Sequence, residues 1–318
     1  MSNRLKKKLK LFLPLILGVL LVWYSLSKIS VEQLLQYFKD ADYLFIGLGI
    51  VFGAISHLSR AYRWKYLIRP MGYELGFPNS VMAVFAAYLI NYTIPRAGEI
   101  SRATIVANYE GIPFEKGFGT IVAERVADMI VMMGIIVITL MLEFDFIYQF
   151  FTDRFEPLKI VIGIILIAFI FILLVTFIRK SKSTIAQKIK AFVSGLVEGM
   201  LSIFKMKQKW AFIAHTLFIW FLYVLMFYIT TFALPETTNI PMAAILIGFI
   251  SASFSIAATN GGIGSYPVAV YAAFSIFGIA KEPSIAFGWI MWSSQTLMII
   301  ILGGLSLLYL PIYNRARK

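Results

Sequence analysis

Two short polar segments interrupt long apolar stretches of this chain. The first reads Pro-Arg-Ala-Gly-Glu-Ile-Ser-Arg over residues 95–102, and the second reads Thr-Asn-Gly-Gly-Ile-Gly-Ser-Tyr-Pro over residues 259–267. In hydrocarbon an unpaired backbone group costs several kcal/mol, so a broken helix at membrane depth persists only where protein buries it or water reaches it. A matched pair of such breaks, one in each half of a polytopic protein, is typical of a binding site near the bilayer midplane.

The first segment carries side chains that could bind an anion. Arginine presents a planar fork of donors that binds phosphate and stays charged. Glu99 and Arg102 are three residues apart and share one face of a helix, whose N-terminus would favour the carboxylate. They either form an ion pair that only closes the turn, or they leave an arginine to meet an anionic ligand. The candidate site residues are Arg96, Gly98, Glu99 and Arg102.

The second segment has no charge. Its glycines could expose backbone amides that cradle an anion, its asparagine and serine could add hydrogen bonds, and Pro267 suits the first turn of a following helix. The alternative is that the glycines serve packing alone. The candidate site residues are Asn260, Gly261, Gly262, Gly264 and Ser265.

A third group of charges consists of Glu124, Arg125 and Asp128. We predict that they occupy the first turns of the helix after the first segment, where the helix dipole and snorkelling would accommodate them at little cost. The alternative is that Arg125 and Asp128 face the first segment and complete a charged chamber. A charge near the membrane centre costs about 2.5–3.5 kcal/mol even on gentle scales, which makes each one a candidate for function.

The composition is that of an integral membrane protein. Of 318 residues, 60% are hydrophobic, and the mean hydropathy is +0.82. Six apolar stretches approach or exceed the ~20 residues that cross a bilayer, namely 11–27, 43–58, 118–142, 158–178, 210–232 and 284–310. No small-residue cleavage pattern follows the first of them, so we interpret it as a retained helix. The chain has no cysteine and therefore neither a disulfide nor a thiol–metal site.

Lysine and arginine predict which loops are cytoplasmic. The net charge of +13 would suggest a nucleic-acid partner in a soluble protein, but here the cations cluster as the positive-inside rule requires, and we expect no nucleic acid. The basic runs, which should be cytoplasmic together with both termini, are 1–10, 59–78, 179–209 and 315–318. The loops with few cations, which should face the other side, are 28–42, 143–157 and 233–240.

These loop positions require two hairpins. Loops 59–78 and 143–157 must lie on opposite sides, so the apolar stretches between them cross an odd number of times. The simplest solution is that 79–94 enters from the cytoplasm and turns back at the first polar segment, because its length of ~24 Å is too short to cross. The same argument makes 241–258 and 266–279 a second hairpin, which enters from the outer side.

The predicted fold is therefore an all-α polytopic membrane protein with about six spanning helices and two re-entrant hairpins in an inverted repeat. The first repeat covers residues 1–157 and the second covers 158–318. The basic linker 179–209 either lies against anionic lipid on the cytoplasmic surface or only orients the protein. Gly49 and Gly53 predict a close helix contact, within or between subunits.

Four motifs resemble the lysylphosphatidylglycerol synthase transmembrane (flippase-like) family, also called the UPF0104 group. They are Arg-Ala-Tyr-Arg-Trp-Lys-Tyr-Leu at 60–67, the segment 95–102, Glu-Arg-x-x-Asp at 124–128 and Gly-Gly-Ile-Gly at 261–264. The resemblance covers nearly the whole chain and implies movement of aminoacylated or other polar lipids between leaflets. Fused members of the family continue into a soluble aminoacyl-transferase domain. Since this chain stops at Lys318, we do not expect the synthase activity.

The chain departs from the family pattern in the second polar segment. Asn260 stands in place of the family's proline, and Pro267 stands in place of its glutamate. This removes a titratable group from the outer hairpin. A family mechanism that uses an acid there, such as proton coupling, is in doubt for this chain.

The main functional prediction is a polar-lipid flippase. Arg96 and Arg102 would meet the phosphate, Glu99 or Asp128 would meet any amine, and the acyl chains would stay in the bilayer. The alternative is a secondary transporter of a small anionic solute, which needs a sealed site instead of a lateral opening. We expect no catalytic activity, metal or cofactor, since the chain's two histidines are far apart in sequence and no nucleotide-binding loop is present.

Membrane phospholipids are the expected partners. A second copy of the chain or a separate lipid-modifying enzyme is the candidate protein partner. We predict a location in the bacterial cytoplasmic membrane.

Overall fold

The computed structural model describes residues 18–94, 97–153, 156–181, 183–184, 186–187, 189–190 and 206–315. Three predicted features lie wholly or mostly outside these residues: the N-terminal basic run, Arg96 at the first turn, and the linker 179–209. Throughout the described part of the chain the regular structure is helical, without strands, which confirms the all-α fold class.

The helices are numbered in chain order. They are α1 (18–26 as far as described), α2 (Val31–Asp40), α3 (Tyr43–Ile68), α4 (Phe77–Thr93), α5 (Ala97–Glu110), α6 (Phe114–Leu142), α7 (Phe144–Thr152), α8 (Pro157–Lys180), α9 (Lys209–Thr230), α10 (Met242–Ala258), α11 (Ser265–Ser275) and α12 (Lys281–Arg315). Short 3-10 turns lie at Arg69–Met71, Thr231–Ala233 and Pro235–Thr237.

Local sequence signals set several helix ends. Ser30 and Gln33 form a capping box at the start of α2, and the Asp42 side chain accepts a hydrogen bond from the Leu44 N–H at the start of α3. Proline stands in the first turn of α4 and of α8, where its missing N–H costs nothing.

The protein is an integral membrane protein with several helices that can span a bilayer. Four described segments are long and apolar enough to do so, namely Tyr43–Met71, Phe114–Leu142, Lys209–Ala233 and Lys281–Arg315. Helix α8 has 24 residues, or about 36 Å at the usual rise. The number of six spans stays a prediction.

Both polar segments turn helical hairpins, as predicted. Hairpin 1 consists of α4 and α5, with 17 and 14 residues, and hairpin 2 consists of α10 and α11, with 17 and 11 residues. Their arms reach only about 17–26 Å, which is less than the ~30 Å hydrocarbon core. In each hairpin the two arms pack against one another, and α12 packs against both hairpins.

The chain divides into two compact units. One contains Met1–Ile121 with Trp210–Lys318, and the other contains Val122–Lys209. Both hairpins, α3, α9 and α12 belong to the first unit, while α7 and α8 contact each other in the second. The predicted repeats 1–157 and 158–318 divide the chain at other points and stay a prediction.

The open end of hairpin 1 is closed by a polar clamp. Asn79 of α4 and Asn314 of α12 exchange two side-chain hydrogen bonds, at 2.8 and 2.9 Å, and Asn79 also donates to the Glu110 carboxylate of α5. A buried cluster built around Trp64, Ile68 and Val106 packs beside it. The base of the hairpin is thus held by both hydrogen bonds and apolar burial.

Two segments predicted to share the outer side do lie together at the opposite end of this unit. The Asp42 N–H donates to the Ala233 carbonyl over 2.9 Å. Partial burial, followed by the charges of Glu236 and Glu282, raises the pKa of Tyr37. Segments 28–42 and 233–240 are therefore neighbours. That both face the outer side stays a prediction.

The predicted basic loop 59–78 is wrong in part. Helix α3 continues to Ile68, so Arg60 and Arg63 are helical and buried, and the connection to α4 covers only residues 69–76. Nothing in the sequence breaks the helix before Pro70, which lies in the 3-10 turn Arg69–Met71. The charges of Arg60 and Arg63 therefore do not mark the end of the helix.

Candidate functional site

The turn of hairpin 1 is held by Asn91. The Gly98 N–H donates to the Asn91 side-chain oxygen over 2.8 Å, and the Asn91 amide nitrogen lies 3.5 Å from the Glu99 carboxylate. Gly98 touches both Asn91 and the Ala87 carbonyl, and a Cβ at this position would collide with them. Gly98 therefore allows α4 and α5 to approach closely. Arg96, predicted at the same turn, lies outside the described residues.

Arg102 is buried on the α3 side of hairpin 1. It is 3% exposed, and its guanidinium carbon lies 3.7 Å from the centroid of the Trp64 ring. Such stacking of a desolvated cation on an indole is worth about 2 kcal/mol. Trp64 in turn donates to the Thr120 hydroxyl over 2.8 Å. Arg102 is thus oriented by α3, while the half-buried Glu99 stays near the turn.

The turn of hairpin 2 is a network of hydroxyl groups. The Ser265 hydroxyl lies 2.6 Å from that of Ser255 and 2.9 Å from that of Thr259. The Gly262 N–H donates to the Thr259 hydroxyl over 3.1 Å. The Gly262 amide, which the sequence offered as part of an anion cradle, is therefore engaged within the turn itself.

The glycines of this turn have a conformational role. Gly261, Gly262 and Gly264 have φ angles of 64°, 80° and 69°, in the left-handed region that L side chains rarely adopt. Gly264 also lies against the backbone of Leu21 and Val22 in α1, which leaves no room for a Cβ. These contacts support the packing interpretation for Gly264. They do not exclude a second role for its neighbours.

The two turns meet on α12. Gly261 of hairpin 2 packs against the ring of Tyr92, which lies in the last turn of α4. The Gly261 carbonyl accepts a hydrogen bond from the Trp292 indole over 2.7 Å, and the Tyr92 hydroxyl lies 3.1 Å from that of Thr296. We call this contact of Tyr92, Gly261, Trp292 and Thr296 the tip junction. It lies near the middle of the 35-residue α12.

The third predicted group lies deeper in its helix than expected. Helix α6 begins at Phe114, so Glu124 and Asp128 are about three to four turns from its start and not in the first turns. Both carboxylates are buried, with Glu124 1% exposed, and the Arg125 guanidinium lies 3.7 Å from the Asp128 carboxylate. Capping by the helix dipole therefore does not explain them. The charged chamber with hairpin 1 stays a prediction.

Two buried arginines were missed by the sequence analysis. Arg63 is 0% exposed, donates to the Thr216 hydroxyl over 2.7 Å and lies 5.0 Å from the centroid of the Phe212 ring. Arg60, one turn earlier, donates to the Tyr223 hydroxyl over 3.4 Å. The spacing of three on one helix face, with no helix breaker before Pro70, was the signal that could have identified them.

The described residues contain no group of three or more His, Cys, Asp or Glu side chains that could hold a metal ion. The arrangement instead offers buried guanidinium groups, hydroxyls and a junction of two broken helices. Such donors can replace the hydration of a polar or anionic group inside the membrane.

Comparison with known proteins identifies the family. The sequence model for the lysylphosphatidylglycerol synthase TM region matches residues 11–304. The chain belongs to this family. The match to the lysylphosphatidylglycerol synthase TM region includes both hairpins, the tip junction and all the buried charges described above.

Three relatives show how far this similarity extends. A UPF0104 membrane protein of Methanocaldococcus jannaschii is 24% identical over 303 residues, which covers 86% of each chain. A UPF0104 membrane protein of Pyrococcus horikoshii is 30% identical over 183 residues, or 56% of this chain and 52% of that one. Glycosyltransferase AglD of Haloferax volcanii is 27% identical over 135 residues, or 42% of this chain and 21% of AglD. No solved structure matches the chain.

The family and the apolar helices establish a membrane protein. These three relatives are archaeal, so the bacterial cytoplasmic membrane and the cytoplasmic termini stay predictions.

Proposed function

We propose that the protein moves a polar lipid between the two leaflets of the membrane. The observation that carries this proposal is the tip junction, where two broken helices meet near the middle of α12. Broken helices at this depth are tolerated where they line a cavity or are buried in protein, and transporters use them as binding sites. Membership of the lysylphosphatidylglycerol synthase TM family supports a substrate of lipid character.

The buried arginines support a headgroup that contains phosphate. A phosphate that leaves water must be given donors in its place, because burial of an unpaired charge is very costly. Arg102 lies within two turns of the start of α5, and Arg60 and Arg63 lie on the neighbouring α3. Arginine binds phosphate in a bidentate manner. We propose that Arg102, together with Arg96 at the turn, receives the phosphate.

Other parts of the lipid would have different environments. Glu99, near the turn of hairpin 1, would receive an amine if the headgroup carries one. The acyl chains would remain in the bilayer, which requires a lateral opening and no covalent chemistry. Membrane phospholipid is thus the proposed partner, and a separate lipid-modifying enzyme or a second copy of the chain would associate with the same membrane.

A reconstitution experiment tests this function. The purified protein is placed in liposomes that contain fluorescent neutral, anionic or aminoacylated lipid, and dithionite quenching reports the exchange between leaflets. We expect faster exchange than in protein-free vesicles, and at least a tenfold loss in Arg102→Gln, because this substitution removes a desolvated cation from its site. Arg69→Gln is the matched control, since Arg69 is half-exposed and pairs with Glu74 near the surface.

Two measurements keep the result interpretable. The melting temperature of each variant shows whether a loss of exchange reflects unfolding, and unchanged exchange in a well-folded Arg102→Gln protein would reject the role of this arginine. If none of the three lipids exchanges faster than in protein-free vesicles while a soluble anion accumulates, the secondary-transporter alternative replaces this proposal.

A further inference from the structure

In the described part of the chain, His57 on α3, Trp220 on α9 and Gln295 on α12 each have a buried side-chain nitrogen that makes no hydrogen bond. These atoms are Nδ1 of the histidine, Nε1 of the tryptophan and Nε2 of the glutamine. A buried polar atom without a partner costs about 1–3 kcal/mol. In native proteins such an atom calls for an explanation, and an absent water or ligand is a common one.

Two of these side chains flank the same tyrosine. The ring centroid of Tyr223 lies 6.1 Å from that of His57 and 5.8 Å from that of Trp220. The Tyr223 hydroxyl also accepts the hydrogen bond from Arg60. Arg60 is three residues after His57 on α3 and therefore one turn away on the same face. The indole, the imidazole and a buried guanidinium thus all contact Tyr223.

Gln295 joins this group from α12. Its side-chain oxygen lies against Gly53, one turn before His57 on α3. It directly precedes Thr296, which is part of the tip junction. Hairpin 1 supplies a further wall, since the Tyr88 ring lies 4.6 Å from the His57 ring, centroid to centroid. The group therefore extends along α3 from the level of Gly53 to Arg60.

The chemistry of these atoms selects the ligand. An indole N–H and a side-chain amide NH2 are donors, so each requires an acceptor. A phosphodiester offers several strong acceptor oxygens and a negative charge, which favours a place beside a guanidinium. An ammonium group has no acceptor and could satisfy neither nitrogen.

We propose that His57, Trp220 and Gln295 form, with Arg60, a binding site for the phosphodiester of a lipid headgroup. The site is distinct from the hairpin turns and runs along α3 from Gln295, which lies against Gly53, to Arg60. It rests on the proposed function and adds to it a second site for the lipid phosphate, apart from the one proposed at Arg102 and Arg96. The ligand group is the phosphate, and a cationic extension of the headgroup is not required.

A binding measurement in detergent tests the site without requiring lipid movement. The full chain is titrated with phosphatidylglycerol in mixed micelles, and bound lipid is read by mass spectrometry and by the rise in Tm. Trp220→Phe keeps the aromatic ring and removes the indole N–H, and Gln295→Met removes the amide at similar volume. We expect each to weaken phosphatidylglycerol binding about five- to thirtyfold, as the loss of one buried hydrogen bond predicts.

Trp289→Phe is the matched control. Its indole already donates to the Ser25 hydroxyl over 3.0 Å, so this variant should lose stability and keep its affinity for lipid. Diacylglycerol, which lacks the phosphate, should not raise the Tm through this site. Soluble glycerol phosphate carries the same phosphate group without acyl chains. Its affinity therefore shows whether the site recognises a lipid headgroup or a free phosphate ester.

Each outcome decides the proposal. Equal weakening in Trp289→Phe, unchanged affinity in both test variants, or equal stabilisation by diacylglycerol would overturn the site and assign the three nitrogens to buried water. Tighter binding of soluble glycerol phosphate than of phosphatidylglycerol would overturn the lipid source. Binding that depends on Trp220 and Gln295 without any exchange in liposomes would support the site while rejecting the flippase function.

Discussion

The two hairpins have similar shapes and different chemistry at their turns. Hairpin 2 turns through three glycines with positive φ and a closed set of serine and threonine hydroxyls. Hairpin 1 turns beside Asn91, its glycine serves close packing, and the arm after the turn carries Glu99 and the buried Arg102. The comparison teaches that a helix break can be stabilised by glycine conformation and neutral hydroxyl groups, without charged side chains. It also predicts that the charged groups of a ligand are bound by hairpin 1 and not by hairpin 2.

The largest expected effect is on the turn of hairpin 2. Gly264→Ala should destabilise the protein by about 2–5 kcal/mol, because an alanine with positive φ costs about 1–2 kcal/mol and its Cβ would also strike the backbone of α1. Gly278→Ala is the control, since Gly278 has the same sign of φ and open space around it. It should lose only about 1–2 kcal/mol. Equal losses of stability in detergent would show that the contact with α1 is unimportant.

An intermediate effect is expected at the turn of hairpin 1. Gly98→Ala should cost about 1–3 kcal/mol, since its Cβ would separate α4 from α5. Gly134→Ala lies in helix α6 with nothing within 4 Å and should instead stabilise the protein by up to about 1 kcal/mol. Thermal unfolding of both variants checks the difference in sign. We further expect Gly98→Ala to slow lipid exchange, because Arg102 moves with α5.

The smallest effect separates structure from function in hairpin 2. Ser265→Ala should lower the free energy of unfolding by about 1 kcal/mol, through loss of its bonds to Ser255 and Thr259. Lipid exchange should remain near the wild-type rate, in contrast to Arg102→Gln. The exposed Ser275→Ala is the control and should change stability by less than about 0.5 kcal/mol. If Ser265→Ala kept normal stability but no longer moved lipid, hairpin 2 would take part in lipid binding, and the assignment of ligand binding to hairpin 1 alone would be wrong.

The hairpins could be predicted from sequence because the features that specify them lie close together along the chain. A polar break inside an apolar stretch, combined with the charge of the flanking loops, made a hairpin the simplest arrangement of the two arms, and the structure confirms that the arms pack together. The side from which each hairpin enters the membrane stays a prediction. The glycine pair at Gly49 and Gly53 likewise predicted a close helix contact. The structure places it within the chain, with Gly49 against Thr230 and Gly53 against Gln295.

The errors came from treating charge as a mark of helix ends. Arg60 and Arg63 were assigned to a loop, although α3 continues beyond them and buries both. Glu124 was placed in a first turn because the apolar stretch begins at residue 118, whereas α6 begins at Phe114, directly after Pro113. A charged side chain indicates an exposed position only where the folded protein offers it no partner. The partners of Arg60 and Arg63 lie on α9, which is far from α3 in the sequence.

The tip junction could not be predicted at all. Tyr92, Trp292 and Thr296 are ordinary residues of membrane helices, and no local pattern distinguishes them. Their contact depends on how hairpin 1, hairpin 2 and α12 pack together, which is a tertiary property.

The polar clamp at Asn79 has a mechanical consequence. Hairpin 1 is fastened to α12 twice, at its open end through Asn314 and at its turn through the bond between Tyr92 and Thr296. Between these points Gly303 of α12 lies directly against α4, at Leu89 and the Phe85 carbonyl. A helical hairpin that is attached at both ends to the same helix cannot rotate about either attachment point. If the protein moves lipid as proposed, hairpin 1 and α12 should therefore move together as one rigid body, and relative motion should occur at the surfaces where other helices pack against them.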